Sequence, residues 1–110
     1  MNRAIRTLAV LLLLSLGLLA ADSKEQTFTG TVSDTMCGAH HTMAPGLSDA
    51  QCVRACVEAG ADYALVVGSR VYTLKGNKAV IDKFAGQKAA VTGKVSGNVI
   101  QATSVAAPKK

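Results

Sequence analysis

The apolar and polar positions of this chain fall into runs whose period changes along its length, and each change marks an element. From Thr27 to Ser33, T-F-T-G-T-V-S alternates, with Phe28, Gly30 and Val32 on one face and threonines on the other, as in a half-buried strand. Gly30 has no side chain to pack, and in mid-strand it marks a bend where a sheet curls towards closure. Asp34 to Leu47 has no period and is punctuated by Gly38 and Pro45-Gly46, so it reads as loop. At Ser48 the period becomes helical: Cys52, Val53, Cys56 and Val57 form one apolar stripe, so both cysteines face inward. Ser48 and Gln51 have capping-box spacing, Asp49 suits the positive end of the helix dipole, and Gly60 suits its stop. The expected helix runs from about Ser48 to Ala59.

Beyond it, Tyr63 to Val67 and Val71 to Leu74 are short β-prone runs around Gly68-Ser69 and Arg70, a hairpin signal of the II′ kind. Asn77 can cap a second short helix that buries Val80, Ile81 and Phe84 and ends at Gly86. Gln87 to Val95 alternates again, with Ala89, Val91, Gly93 and Val95 on one side. Ser96-Gly97-Asn98 then turns the chain into a last strand, Val99 to Val105. Thr29-Gly30-Thr31-Val32-Ser33 is echoed by Thr92-Gly93-Lys94-Val95-Ser96, which reads as two strands bending in the same way. The order strand, helix, hairpin, short helix, strand, strand predicts a mainly β fold. The form expected is a small five-stranded OB-like barrel with a helical, Cys-bearing insertion after the first strand. An open sheet packed on the helix is the alternative.

The first residues stand apart from this pattern. Arg3 and Arg6 precede an apolar run, Leu8 to Leu19, that ends in Ala20-Ala21-Asp22, which predicts a signal peptide over residues 1–21 cleaved near Ala21 or Asp22. The run is short for a transmembrane span, so no stable membrane span is expected after cleavage; an uncleaved N-terminal anchor is the alternative. Residues 22–105 are then a single domain and residues 106–110 a disordered tail, in an exported protein that is periplasmic or secreted. Without Arg3 and Arg6 the domain has ten basic residues against seven acidic ones, a net charge of +3. Its lysines are scattered, which predicts a solvated surface and no nucleic-acid partner. The aromatic residues Phe28, Tyr63, Tyr72 and Phe84 read as core.

The candidate chemistry is confined to Met36–Cys56, which holds all three cysteines and both histidines. Export leads to an oxidising compartment, where an odd cysteine count leaves one thiol over, pairs it between molecules, or reflects a metal. Cys52 and Cys56 lie one helical turn apart, about 6 Å between Cα atoms, with parallel side-chain directions that suit a disulfide poorly. Cys37 is the better partner for either. One reading is therefore a structural disulfide from Cys37 to Cys52 or Cys56, in an interaction domain that binds a peptide, saccharide or partner protein on the barrel face. The other is a metal site of Cys37, Cys52, Cys56 and either His40 or His41, because side chains at i and i+4 of a helix can converge on one ion. Zinc is the first choice for such a set; Met36 and Met43 bring copper in as the alternative. Thiol redox chemistry lacks a C-x-x-C motif, and a Cys-His hydrolase lacks an orienting third group, so a non-enzyme is expected.

Three strings together carry a resemblance: Cys37-Gly38-Ala39-His40, Cys52 to Cys56, and Ala85-Gly86 to Val91-Thr92-Gly93. In them the chain resembles small secreted bacterial OB-like domains that combine a C-G-x-x-H loop, a C-x-x-x-C helix and an A-G-x-x-x-x-V-T-G strand. The resemblance spans nearly all of the chain after the apolar run. It implies the fold and the exported compartment and assigns no activity.

Overall fold

The computed structural model describes residues 24–40 and 46–109. The expected signal peptide, His41, Met43 and Pro45 lie outside these residues. Seven elements follow in the expected order: β1 (Gln26–Asp34), α1 (Asp49–Glu58), β2 (Tyr63–Val67), β3 (Arg70–Lys75), α2 (Lys78–Asp82), β4 (Lys88–Ser96) and β5 (Val99–Ala106). Among the described residues no helix is long and apolar enough to cross a membrane.

The strands pair in the order β1-β2-β3-β5-β4, and β4 pairs back to β1, so the sheet closes on itself as a barrel. All pairs are antiparallel except β3 and β5, which run parallel from Thr73↔Val99 to Lys75↔Gln101. β1 takes part on both of its edges. Gln26 to Thr31 pair with β4, and Thr31 to Asp34 pair with β2.

The two echoed glycines make that closure possible. A Cβ on Gly30 would run into the carbonyl group of Val66, and one on Gly93 would stand 2.9 Å from Ala102 Cα and strike the Gln101 carbonyl. The β4–β5 register shifts between Thr92 and Gly93, so the second glycine lies at a bulge. Both sit where backbones approach too closely for any side chain.

Inside the barrel Val32, Leu65, Leu74, Ala89, Val91 and Ile100 are buried together with Tyr63 and Tyr72, while Phe28 and Phe84 pack partly buried against them. The aromatics are therefore core residues, as their positions predict. Ile81 of α2 closes the same core. Asn77 caps α2 by accepting from Ala79 N–H and Val80 N–H, but the helix ends at Asp82 with Lys83 as its C-cap, short of Gly86. Gly86 instead donates its N–H to Val32 O at 2.9 Å and leads into β4. At the C-terminal end, Ala106 belongs to β5 and pairs with Ala90, so the strand takes in the first residue of the expected tail.

The hairpin forms as its turn signal predicts, with Arg70 already in β3 opposite Val67. The alternation of β4 also holds, with Ala89, Val91 and Gly93 buried. In β1 it fails at the end: Val32, Ser33 and Asp34 are all fully buried. The turn that follows, residues 35–38, is bonded back onto this end of the strand through the Ser33 and Asp34 side chains.

Candidate metal centre

The site is built at that covered end of β1. Asp34, its last residue, turns its carboxylate back over the following loop, where Oδ1 accepts from Met36 N–H at 2.9 Å and Cys37 N–H at 2.8 Å. Gly38 N–H donates to Asp34 O at 2.9 Å, and His40 N–H donates to Cys37 O at 3.1 Å. Asp34 thus acts on residues 35–38 as an N-cap acts on a helix, satisfying two amides and fixing where Cys37 stands. Ser33 Oγ donates to Gly38 O at 2.5 Å and closes the turn from the other side. Thr35 ties the loop to the start of β2 through two bonds with Asp62: its N–H donates to Asp62 O, and its Oγ1 accepts from Asp62 N–H.

The second wall is α1. The capping box forms in full: Gln51 N–H donates to Ser48 Oγ at 3.2 Å and Ser48 N–H to Gln51 Oε1 at 2.9 Å. The apolar stripe faces the barrel and buries Cys52, Val53 and Cys56. On the polar side Arg54 reaches Asp82 of α2 at 3.0 Å, and the same carboxylate oxygen accepts from Tyr63 O–H at 2.7 Å. These contacts lock the rotation of α1, so its two cysteines point at the turn after β1.

There they meet Cys37. Its Sγ lies 3.5 Å from Cys56 Sγ and 3.8 Å from Cys52 Sγ, and the three sulfurs all lie within 4.8 Å of one another. Sulfurs held about 2.3 Å from a tetrahedral zinc stand about 3.8 Å apart, which the two separations from Cys37 approach. Cys52 and Cys56 are each only 4% exposed; Cys37 is half-buried and forms the outer corner.

Burial sets the chemistry of the thiols. It pushes Cys37 up to about 12, helped by its hydrogen bonds with Cys56 and Cys52 and by the charge of Asp34. Burial also raises the Cys56 thiol; the Cys37 contact lowers it and Asp34 raises it again. Both are therefore neutral thiols near pH 7 until a cation displaces their protons.

The expected ligands divide accordingly. Cys37, Cys52 and Cys56 come together. His40 is exposed and stands outside the sulfur group, and its bond to Cys37 runs from its main-chain N–H to Cys37 O. His41 lies outside the described residues. Of the two methionines that suggest copper, Met36 is 55% exposed and Met43 lies outside the described residues. One functional residue has no counterpart in the sequence reading: Asp34, fully buried beside the thiols with Oδ2 lacking a hydrogen-bond partner. Its only sequence signal is an aspartate two and three residues before the amides it caps, a pattern common in solvated turns.

The three thiols can hold a metal ion among them, and the described residues also leave Cys37 and Cys56 close enough to pair after a small movement. No protein-family model, curated protein or solved structure matches the chain.

Proposed function

We propose that this protein is an exported, non-enzymatic OB-like module that binds a single metal ion, zinc first and copper as the alternative, through Cys37, Cys52 and Cys56. The observation that carries this reading is the convergence of all three sulfurs within 4.8 Å of one another, with the two separations from Cys37, 3.5 and 3.8 Å, close to a tetrahedral edge length. A disulfide needs only two of them.

The strand order β1-β2-β3-β5-β4, with β3 parallel to β5, supports the OB-like reading. In OB barrels the connection between the first two strands is a common binding element. Here that connection carries every cysteine. Arg3, Arg6 and the apolar run Leu8 to Leu19 support export, with a role in metal handling or envelope stress.

The 3.5 Å approach of Cys37 and Cys56 favours one rival, a Cys37–Cys56 staple in a domain that binds a peptide, saccharide or protein on the barrel face. Intact mass spectrometry of protein purified from its native compartment, under native and then denaturing conditions with a thiol count, separates the two. Three alkylatable thiols with one stoichiometric metal are expected. A mass two protons light, one alkylatable thiol and no metal would overturn the metal reading in favour of the staple.

A further inference from the structure

Three sulfurs leave the fourth position of a tetrahedral ion open, and the buried residue whose carboxylate holds the Cys37 amide, at 2.8 Å, is Asp34. Its side chain is fully buried, and its two oxygens have different surroundings. Oδ1 is committed to the Met36 and Cys37 amides. Oδ2 is out of solvent and unpartnered. A buried carboxylate oxygen without a donor is costly, and its usual explanation is an ion, a water or a chemical role. The bonds from Met36 N–H and Cys37 N–H to Oδ1, at 2.9 and 2.8 Å, place this carboxylate next to Cys37, the outer corner of the cluster.

We propose that Asp34 Oδ2 is the fourth donor of the site, making a Cys37/Cys52/Cys56/Asp34 centre that favours a zinc-like divalent ion over copper(I). The inference rests on the metal reading above and replaces the histidine expected from the sequence. A ligating carboxylate ordinarily has its other oxygen hydrogen-bonded, the arrangement Oδ1 already has. Asp34 is not among the atoms that lie within 4.8 Å of one another, so ligation requires the thiols and Oδ2 to draw together on the ion while Oδ1 keeps its amides. Three thiolates alone suit soft copper(I), whereas an added hard carboxylate and its charge favour a divalent, borderline ion. His40 competes poorly for the position because its side chain is at the surface.

The test uses the full chain, reduced and stripped of metal, titrated with zinc and with copper(I) against chelators of known affinity. Asp34→Asn keeps an acceptor oxygen for the Met36 and Cys37 amides while removing the charge. It should lower zinc affinity about 10- to 100-fold. Copper(I) affinity should change far less, and this retained binding also reports that the site is still folded. His40→Ala and His41→Ala should leave zinc affinity unchanged. Independently of any variant, X-ray absorption of the zinc-loaded chain should give three sulfurs and one oxygen, without the multiple scattering of an imidazole. Unchanged zinc affinity in Asp34→Asn, an equal loss of copper(I), or imidazole scattering would each overturn the assignment while leaving the metal reading standing. A wild-type chain that binds neither metal would instead overturn the metal reading itself.

Discussion

Replacement of Gly86 by alanine tests how the barrel holds the helix that carries Cys52 and Cys56. Gly86 has φ +74°, and a Cβ there would lie 2.6 Å from Ala50 N and 3.0 Å from the Asp49 carbonyl carbon, in the first turn of α1. Two costs add. An L-residue at positive φ costs roughly 1–2 kcal/mol. Forcing a methyl against a helix backbone, which cannot rotate away as a side chain can, adds about 1–3 kcal/mol. Gly97 separates the two, because it has φ +59° with nothing within 4 Å of the added Cβ. Gly97→Ala should therefore show only the conformational cost of about 1–2 kcal/mol, and Gly86→Ala about 2–5 kcal/mol. Urea unfolding followed by circular dichroism reads both as midpoint shifts at constant slope. Displacing α1 also moves Cys52 and Cys56 away from Cys37, so Gly86→Ala should weaken metal binding and Gly97→Ala should not. Equal destabilisation by the two variants would refute the close packing of Gly86 on α1.

Three further outcomes are expected. Ser48→Ala removes the acceptor for Gln51 N–H and should cost about 1 kcal/mol in the same unfolding assay, with no change signifying that the helix draws no stability from its cap. Zinc binding should release protons, measurable in weakly buffered solution, and tighten as pH rises through neutrality, because Cys37 titrates near 12 and Cys56 is raised as well; binding independent of pH would contradict neutral thiols in the metal-free protein. The Tyr63 hydrogen bond, ahead of Arg54, lowers the Asp82 carboxyl below its ordinary value of 3.8, so its contribution is present above that value and lost as pH falls through the lower, folded-state value. Asp82→Asn should therefore be less stable than wild type at neutral pH, with the gap closing in acid; Asp82 is 40% exposed, and solvent screening keeps the gap small.

What the sequence determined by itself was whatever depends on neighbours a few residues apart. The cap at Ser48, the inward stripe of Cys52 and Cys56, the Gly68-Ser69 hairpin and the alternation of β4 follow from side-chain periods and local hydrogen bonds, and each lies where the pattern puts it. The echo of Gly30 and Gly93 also carried real information, because both mark close backbone approaches. The tertiary structure alone decided the rest. Closure of the sheet needs β3 to lie parallel to β5 across an intervening helix and strand, and no local period encodes that pairing. The meeting of Cys37 with residues 15 and 19 positions later depends on which way an aperiodic loop folds over the end of β1. The same fold of the loop leaves His40 in solvent and buries Asp34, reversing the order in which a histidine and a loop aspartate would be ranked as ligands. Ligand rank at such a site follows burial and direction, which are properties of packing between distant segments, while a sequence displays only residue type and spacing.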